Sequence, residues 1–326
     1  MALPEILKGR LSVPAVAAPL FIISGPELVI AQCKAGVVGS FPSLNARGEG
    51  EFEKWLIQIN DALDTYNKAN PEQPAAPYAV NQIVHKSNLR LEEDLALCVK
   101  YKVPIVITSL GARADLNDAI HSYGGIVLHD IINNFFAKKA IAKGADGLIA
   151  VATGAGGHAG TLSPIALIQE IRDWFDGPLL LSGAIASGDA ILSAQAMGAD
   201  LGYIGSAFIA TEEARATSDY KDAIVDCGAD DIVYSNLFTG IHGNYLKPSI
   251  ISAGMDPDNL PESDPSKMNF GSGGNTDSKA WKDIWGCGQG IGAVSSVLST
   301  ADFVAGLVDE YNSAFDRLVT LNSISK

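Results

Sequence analysis

Eight short apolar, β-branched runs, each followed by an amphipathic stretch, recur along the first two thirds of the chain. They are Ala15–Phe21, Val37–Ser40, Tyr78–Val84, Ile105–Leu110, Ile126–His129, Gly147–Ala152, Leu179–Gly183 and Leu201–Gly205. Helical patterns begin near Pro26, Glu51, Asn88, Ala112, Asn134, Ser163, Ser187 and Glu212, several of them behind a Ser or Asn that can cap the first turn. Strands that are apolar on both faces need cover on both, and parallel neighbours are joined most easily by right-handed helical crossovers. Eight such units in a row predict closure into an α/β (β/α)8 TIM barrel.

A barrel of this kind takes roughly 250 residues, and the chain has 326. The surplus falls after the eighth unit, where the texture becomes polar and rich in Gly and Pro (Pro248–Asn275). The expected organisation is therefore a barrel of residues 1–230 and 285–326, with residues 231–284 inserted as a small capping domain over the mouth. The segments KGADG (Lys143–Gly147) and MGADL (Met197–Leu201) read as ordinary helix-to-strand loops.

Lys and Arg number 23 against 37 Asp and Glu, a formal charge of −14, so the overall field repels phosphate backbones and nucleic acid is not an expected partner. Cys33, Cys98, Cys227 and Cys287 are widely spaced, with no C-x-x-C and no zinc spacing; a reducing compartment and no metal are expected. The first residues lack a basic stretch leading into an apolar core with a small-residue cleavage site, and no run reaches 18 apolar residues. The expectation is a cytoplasmic protein that does not span a membrane.

Chemistry-bearing residues gather at the ends of the later strands. GLIAVATGAGGHAG (147–160) presents His158 from a loop with Gly154, Gly156, Gly157 and Gly160, where barrel enzymes place their reactive groups, although a mobile turn with a surface His would look similar. It is no Rossmann fingerprint, since Ala159 replaces the third Gly. The seventh and eighth strands end in Ser182-Gly183-Ala184 and Gly205-Ser206, and a helix start follows at Ser187-Gly188. Consecutive turns of small residues opening onto helix N-termini suit a phosphate monoester held by backbone N–H groups. WGCGQGIGAV (285–294) either brings backbone against a ligand or returns the chain from the insertion. Asn81, amid apolar neighbours, needs a partner if buried, whether a ligand heteroatom or an internal carbonyl. His129, beside Asp130, and His242 in TGIHGNYL are each more often structural than catalytic when alone. HExxH, GxxxxGK[ST] and GxSxG are all missing, which removes zinc protease, P-loop and serine hydrolase readings.

Taken together, TGAGGHAG, SGAIASGDAI and ADLGYIGSAFIAT resemble the nitronate monooxygenase (2-nitropropane dioxygenase) family, and the resemblance extends to VAAPLF, VNQIV and WGCGQGIGAV. It implies FMN as cofactor. The phosphate would rest on Gly183, Ala184, Gly205 and Ser206, adjoining Ser182, and the ring would lie near Ala18, Pro19, Leu20, Asn81 and Gly157, closed over by Gln289 and Gly290. His158 matches the family's His beside the flavin, acting as base or as hydrogen-bond partner to the nitro group. Several relatives carry Lys after the His that ends the fifth strand, whereas this chain has Asp130, an anion where a cation would stabilise reduced flavin. TGIHGNYL also differs from the Arg-containing counterpart in many reductase relatives.

The implied activity is oxidation of alkyl nitronates or nitroalkanes with O2 to carbonyl compounds and nitrite, with His158 removing a carbon-bound proton or orienting the nitro oxygens. An NAD(P)H-dependent flavin reductase acting on quinones or enoyl thioesters fits the same residues. A non-catalytic flavin-binding module is the reading from outside enzymology.

Overall fold

The computed structural model describes residues 3–263 and 283–324. Its main body is an eight-stranded parallel sheet made of β1 (Ala15–Ala17), β2 (Gly39–Pro42), β3 (Tyr78–Ile83), β4 (Ile105–Ser109), β5 (Ile126–Ile131), β6 (Gly147–Val151), β8 (Leu179–Ser182) and β9 (Leu201–Ile204). Each strand pairs with the next in this series, β9 pairs back onto β1, and a parallel bridge between Val16 and Val38 brings the first strand to the second. The barrel expected from the eight-fold alternation is therefore present.

Helices α1 (Pro26–Ala35), α2 (Glu51–Ala69), α3 (Leu91–Lys100), α4 (Ala114–His121), α5 (Asn134–Ala142), α6 (Pro164–Arg172) and α7 (Gly188–Met197) fill the successive crossovers. Asn133 caps α5 by accepting from the Phe136 N–H, and Ser187 caps α7 by accepting from the Ala190 N–H. The eighth crossover departs from the pattern read in the sequence. A 3-10 turn over Ser206–Ala210 comes first, and α8 (Ser218–Asp226) begins six residues beyond the expected start at Glu212. Strand ends also differ by a few residues; Phe21, expected in the first strand, falls four residues beyond the end of β1.

Period-two alternation sorts the strand residues. Val16, Val38, Ala79, Ile105, Ile107, Leu128, Ile149, Leu180 and Leu201 form one buried cluster inside the barrel, and Leu7, ahead of β1, packs among them. Two residues further along β3, β4, β5 and β9, the inward positions become Asn81, Ser109, Asp130 and Tyr203. The interior thus changes from aliphatic to polar at the C-terminal ends of the strands, where the barrel opens.

The segment after α8 holds more strand than its composition predicts. β10 (Ile232–Ser235) and β11 (Gly243–Leu246) form an antiparallel hairpin, and β11 also pairs with β7, the two residues Gly157 and His158. After β11 comes the short α9 (Lys247–Ser252). Phe238, Tyr245, Ile250 and Ile284 make a small apolar cluster of their own. Residues 264–282, part of the expected insertion, lie outside the described residues. The long α10 (Thr300–Ile324) packs beside α1 and α7. No helix among the described residues is long and apolar enough to cross a membrane.

Candidate active site

A cavity of about 590 Å³ opens at the C-terminal ends of the strands, a size usual for small-molecule sites. Of the residues singled out from sequence, Ala18, Pro19, Leu20, Asn81, His129, Asp130, Gly157, His158, Ser182, Gly183, Ala184, Gly205, Ser206 and Gly290 all line it. Gln289 and His242 are not in its wall. The Gln289 N–H donates to the Gly154 carbonyl at 2.9 Å, and His242 stacks on Tyr234 with ring centroids 5.1 Å apart.

The β8 and β9 side of the mouth is built from backbone. Gly183 has φ +137° and Ala184 φ +55°, left-handed conformations that a non-glycine residue adopts at a cost of roughly 1–3 kcal/mol. Strain of this kind turns the chain sharply at the strand end and is retained where a site needs that shape. The WGCGQGIGAV turn packs onto it so closely that a Cβ on Gly290 would lie 2.8 Å from the Ala184 carbonyl carbon. At Gly205 the situation is reversed. A Cβ there would meet Ala18 Cβ at 3.6 Å and Leu20 Cδ2 at 3.7 Å, ordinary van der Waals contact, so this turn has room for a Cβ without displacing backbone. Small residues therefore serve two ends, close packing at Gly290 and clearance at Gly205.

One element of the sequence reading is corrected here. The N-terminus of α7, expected to aim its dipole at a phosphate, is occupied internally: the Gly188 N–H donates to Glu310 Oε2 of α10 at 2.7 Å. A carboxylate already answers the positive end of that helix. The signal was out of reach because α10 lies more than a hundred residues away in sequence.

On the opposite side, side chains do the work. Asn81 Nδ2 donates to Ser109 Oγ at 2.7 Å and to the Ile107 carbonyl at 3.1 Å, and Ser109 Oγ donates to Asp130 Oδ2 at 2.6 Å. The partner that Asn81 requires is thus internal. Burial pushes the Asp130 carboxyl up to about 6, with the Ser109 hydrogen bond working in the other direction. Tyr203 is held well above the usual phenol range by burial and then by the nearby Asp130 charge. His129 points outward from β5 toward the helices, with Nδ1 2.6 Å from Thr108 Oγ1, and burial lowers it to about 4.

His158 is held by a strand pairing that sequence reading did not foresee. β7 lies against β11, with Gly243 opposite His158, and a Cβ on Gly243 would sit 2.7 Å from the Gly157 carbonyl oxygen. The imidazole Nε2 is 2.9 Å from Thr239 Oγ1, which is itself 3.0 Å from the Ile241 carbonyl. A carbonyl only accepts, so the Thr239 hydroxyl donates to it and Nε2–H donates to Thr239. Nδ1 is then the basic nitrogen of the neutral ring. Burial lowers His158 to about 4, which keeps it neutral at physiological pH. Thr239 is a residue of the candidate site that sequence reading missed; its only signal was its place three residues before His242 in TGIHGNYL.

With this geometry in view, comparison with known proteins is informative. The model of the nitronate monooxygenase family matches residues 5–310. The chain belongs to that family. A nitronate monooxygenase of Paraburkholderia phytofirmans is 24% identical over 351 aligned positions, covering 94% of each chain. Among solved structures, nitroalkane oxidase from Streptomyces ansochromogenes superposes with a TM-score of 0.79 at 20% identity, over 96% of this chain and 100% of that one. FabK from Thermotoga maritima superposes with a TM-score of 0.77 at 19% identity, over 98% and 100%. At such identities the two structures speak for the barrel fold, and the family match makes this member of the nitronate monooxygenase family an oxidoreductase.

Proposed function

We propose that the protein is an FMN-dependent nitronate monooxygenase. The observation that carries the reading is the meeting, in one cavity, of the strained Gly183–Ala184 turn, the Gly205–Ser206 turn and the neutral imidazole of His158. The cradle fits a planar cofactor with a phosphate tail: backbone and small side chains at β8 and β9 for the tail, the apolar Ala18–Pro19–Leu20 turn and Asn81 for the ring, and Gly290 closing against Ala184. When bound, FMN would supply the electron-transfer chemistry through which O2 converts a nitronate into a carbonyl compound and nitrite.

The protein's own contribution is orientation and charge control. His158, fixed by β7 and by Thr239, faces the cavity as a weak base. A group titrating near 4 takes a proton from carbon only with difficulty, and this favours preformed nitronates over neutral nitroalkanes. Bound nitronate would itself raise the affinity of His158 for a proton, and the Nδ1–H of the imidazolium so formed would donate to the nitro oxygens. Asp130 opposes accumulation of negative charge on the far side of the cavity and thereby concentrates the anion at the imidazole.

The test is direct. Protein loaded with FMN and given ethyl nitronate in air should release nitrite without any nicotinamide. Failure to do so, combined with rapid NAD(P)H oxidation when a quinone or an enoyl thioester is added, would overturn the proposal in favour of a reductase.

A further inference from the structure

The cavity does not end above the barrel. Its wall includes His129, whose ring faces the helix layer rather than the barrel interior, and it continues to Leu110 and Ala112 of the β4–α4 loop and to Ile132, Phe136 and Lys139 at and along α5. It therefore passes over the ends of β4 and β5 and leaves the mouth sideways. This exit is apolar and open to solvent: Leu110 is 37% exposed, Ile132 41% and Phe136 43%. Phe136 is braced by Phe135 at 5.3 Å between ring centroids. Large apolar side chains left in water along a continuous wall indicate a surface that is covered in use.

Charge defines the outer end. Lys139 lies three residues after Phe136, hence on the same face of α5; among the described residues it is the one Lys or Arg in the cavity wall and it makes no ion pair. Its neighbour Lys138 instead sits over the Trp174 ring at 5.5 Å. In a chain of net charge −14, a lone cation at the end of an apolar path is matched to an anionic group carried by the occupant.

Resting on the nitronate reading above, we infer that the substrate is an amphiphile whose alkyl chain runs from the reacting centre between Leu110–Ala112 and Ile132–Phe136, ending in a carboxylate or similar anion at Lys139. The continuity of this wall with the reacting cavity is what selects a substrate tail over a protein partner.

Calorimetric titration of the FMN-loaded protein with butanoate, hexanoate and octanoate tests this without turnover. Each added methylene should lower Kd about two- to fourfold, as expected for burial of CH2 groups. Phe136→Ser, at a half-exposed site, should leave the melting temperature unchanged and flatten that series. Lys139→Gln should weaken octanoate about fivefold while leaving octanol untouched. A flat series in the unaltered protein, or one that survives in both Phe136→Ser and Ile132→Ser, overturns the inference. So does a dimer that Phe136→Ser converts to monomer, because the face would then be a contact between copies. If the series holds while nitronates release no nitrite, the monooxygenase reading fails and the channel stands; if nitrite is released and the series is flat, the channel alone fails.

Discussion

The two sides of the barrel mouth solve different problems with different materials. At the ends of β8 and β9 the wall is backbone and small residues, shaped by the left-handed Gly183 and Ala184 and by the clearance at Gly205. Across the cavity, at the ends of β3, β4 and β5, it is a chain of side chains, Asn81 to Ser109 to Asp130. Backbone amides do not titrate and barely move, which suits permanent retention of a cofactor. Side chains titrate and can be exchanged by single substitutions, which suits tuning. His158 belongs to neither side, being delivered from above by the β7–β11 pairing. Holding and chemistry should therefore be separable by mutation.

The sharpest way to break this separation is Gly205→Val. The added Cβ meets only side-chain atoms of Ala18 and Leu20, at van der Waals distance, so the fold should persist with little change in melting temperature. Retention of FMN should fall by about 100-fold or more, read from flavin released on ultrafiltration. Next comes His158→Asn, expected to lower kcat/KM for a nitronate by roughly 10–100-fold, the worth of a charge-assisted hydrogen bond, while leaving FMN retention unaltered. Loss of flavin in this variant would join what the comparison separates. Thr239→Val removes the acceptor that fixes the Nε2–H tautomer and should cost about tenfold in kcat, with a broadened pH profile as its signature.

Asp130→Asn sharpens the contrast through pH. The folded-state pKa of Asp130 is raised, so the native protein binds more protons than the unfolded chain between about 4 and 6, and the stability this confers is lost as pH rises through that range. The Asn variant has no such loss. The two proteins should melt together near pH 4, and the variant should melt about 4 °C higher at pH 8, by calorimetry. His129 and His158 are lowered, so their contribution has the opposite sign and disappears as pH falls from about 6.5 to about 4 in both proteins. The smallest change is Ser109→Ala, which removes the hydrogen bond that holds the Asp130 carboxyl down; the pH at which the Asp130 contribution is lost should move upward by up to about one pH unit.

The barrel was legible because eight apolar runs with eight intervening helical patterns leave few other ways to bury both faces of a sheet. The place of Gly183, Gly205 and His158 at the mouth was legible because they stand at or just beyond the C-terminal ends of barrel strands, where the barrel opens. What stayed hidden depends on contacts across long stretches of chain. The pairing of Gly157–His158 with Gly243–Asn244 spans more than eighty residues and involves two-residue and four-residue strands with no alternation to detect. Glu310 over the start of α7 and Thr239 under His158 are of the same kind, side chains whose partners are fixed only by the closed fold. The Asn81–Ser109–Asp130 chain lies between; each residue was visible as polar at a strand end, but the parallel register that aligns them was not.

Mixing the FMN-loaded protein with an alkyl nitronate under anaerobic conditions, while following the visible absorption band, addresses the joint role of the two turns and the imidazole. Purified protein should be yellow or become so with FMN, the band should bleach on adding nitronate alone, and admitting air should restore it with release of nitrite. A colourless protein that FMN cannot reconstitute, or a yellow one whose band is indifferent to nitronate, would contradict it.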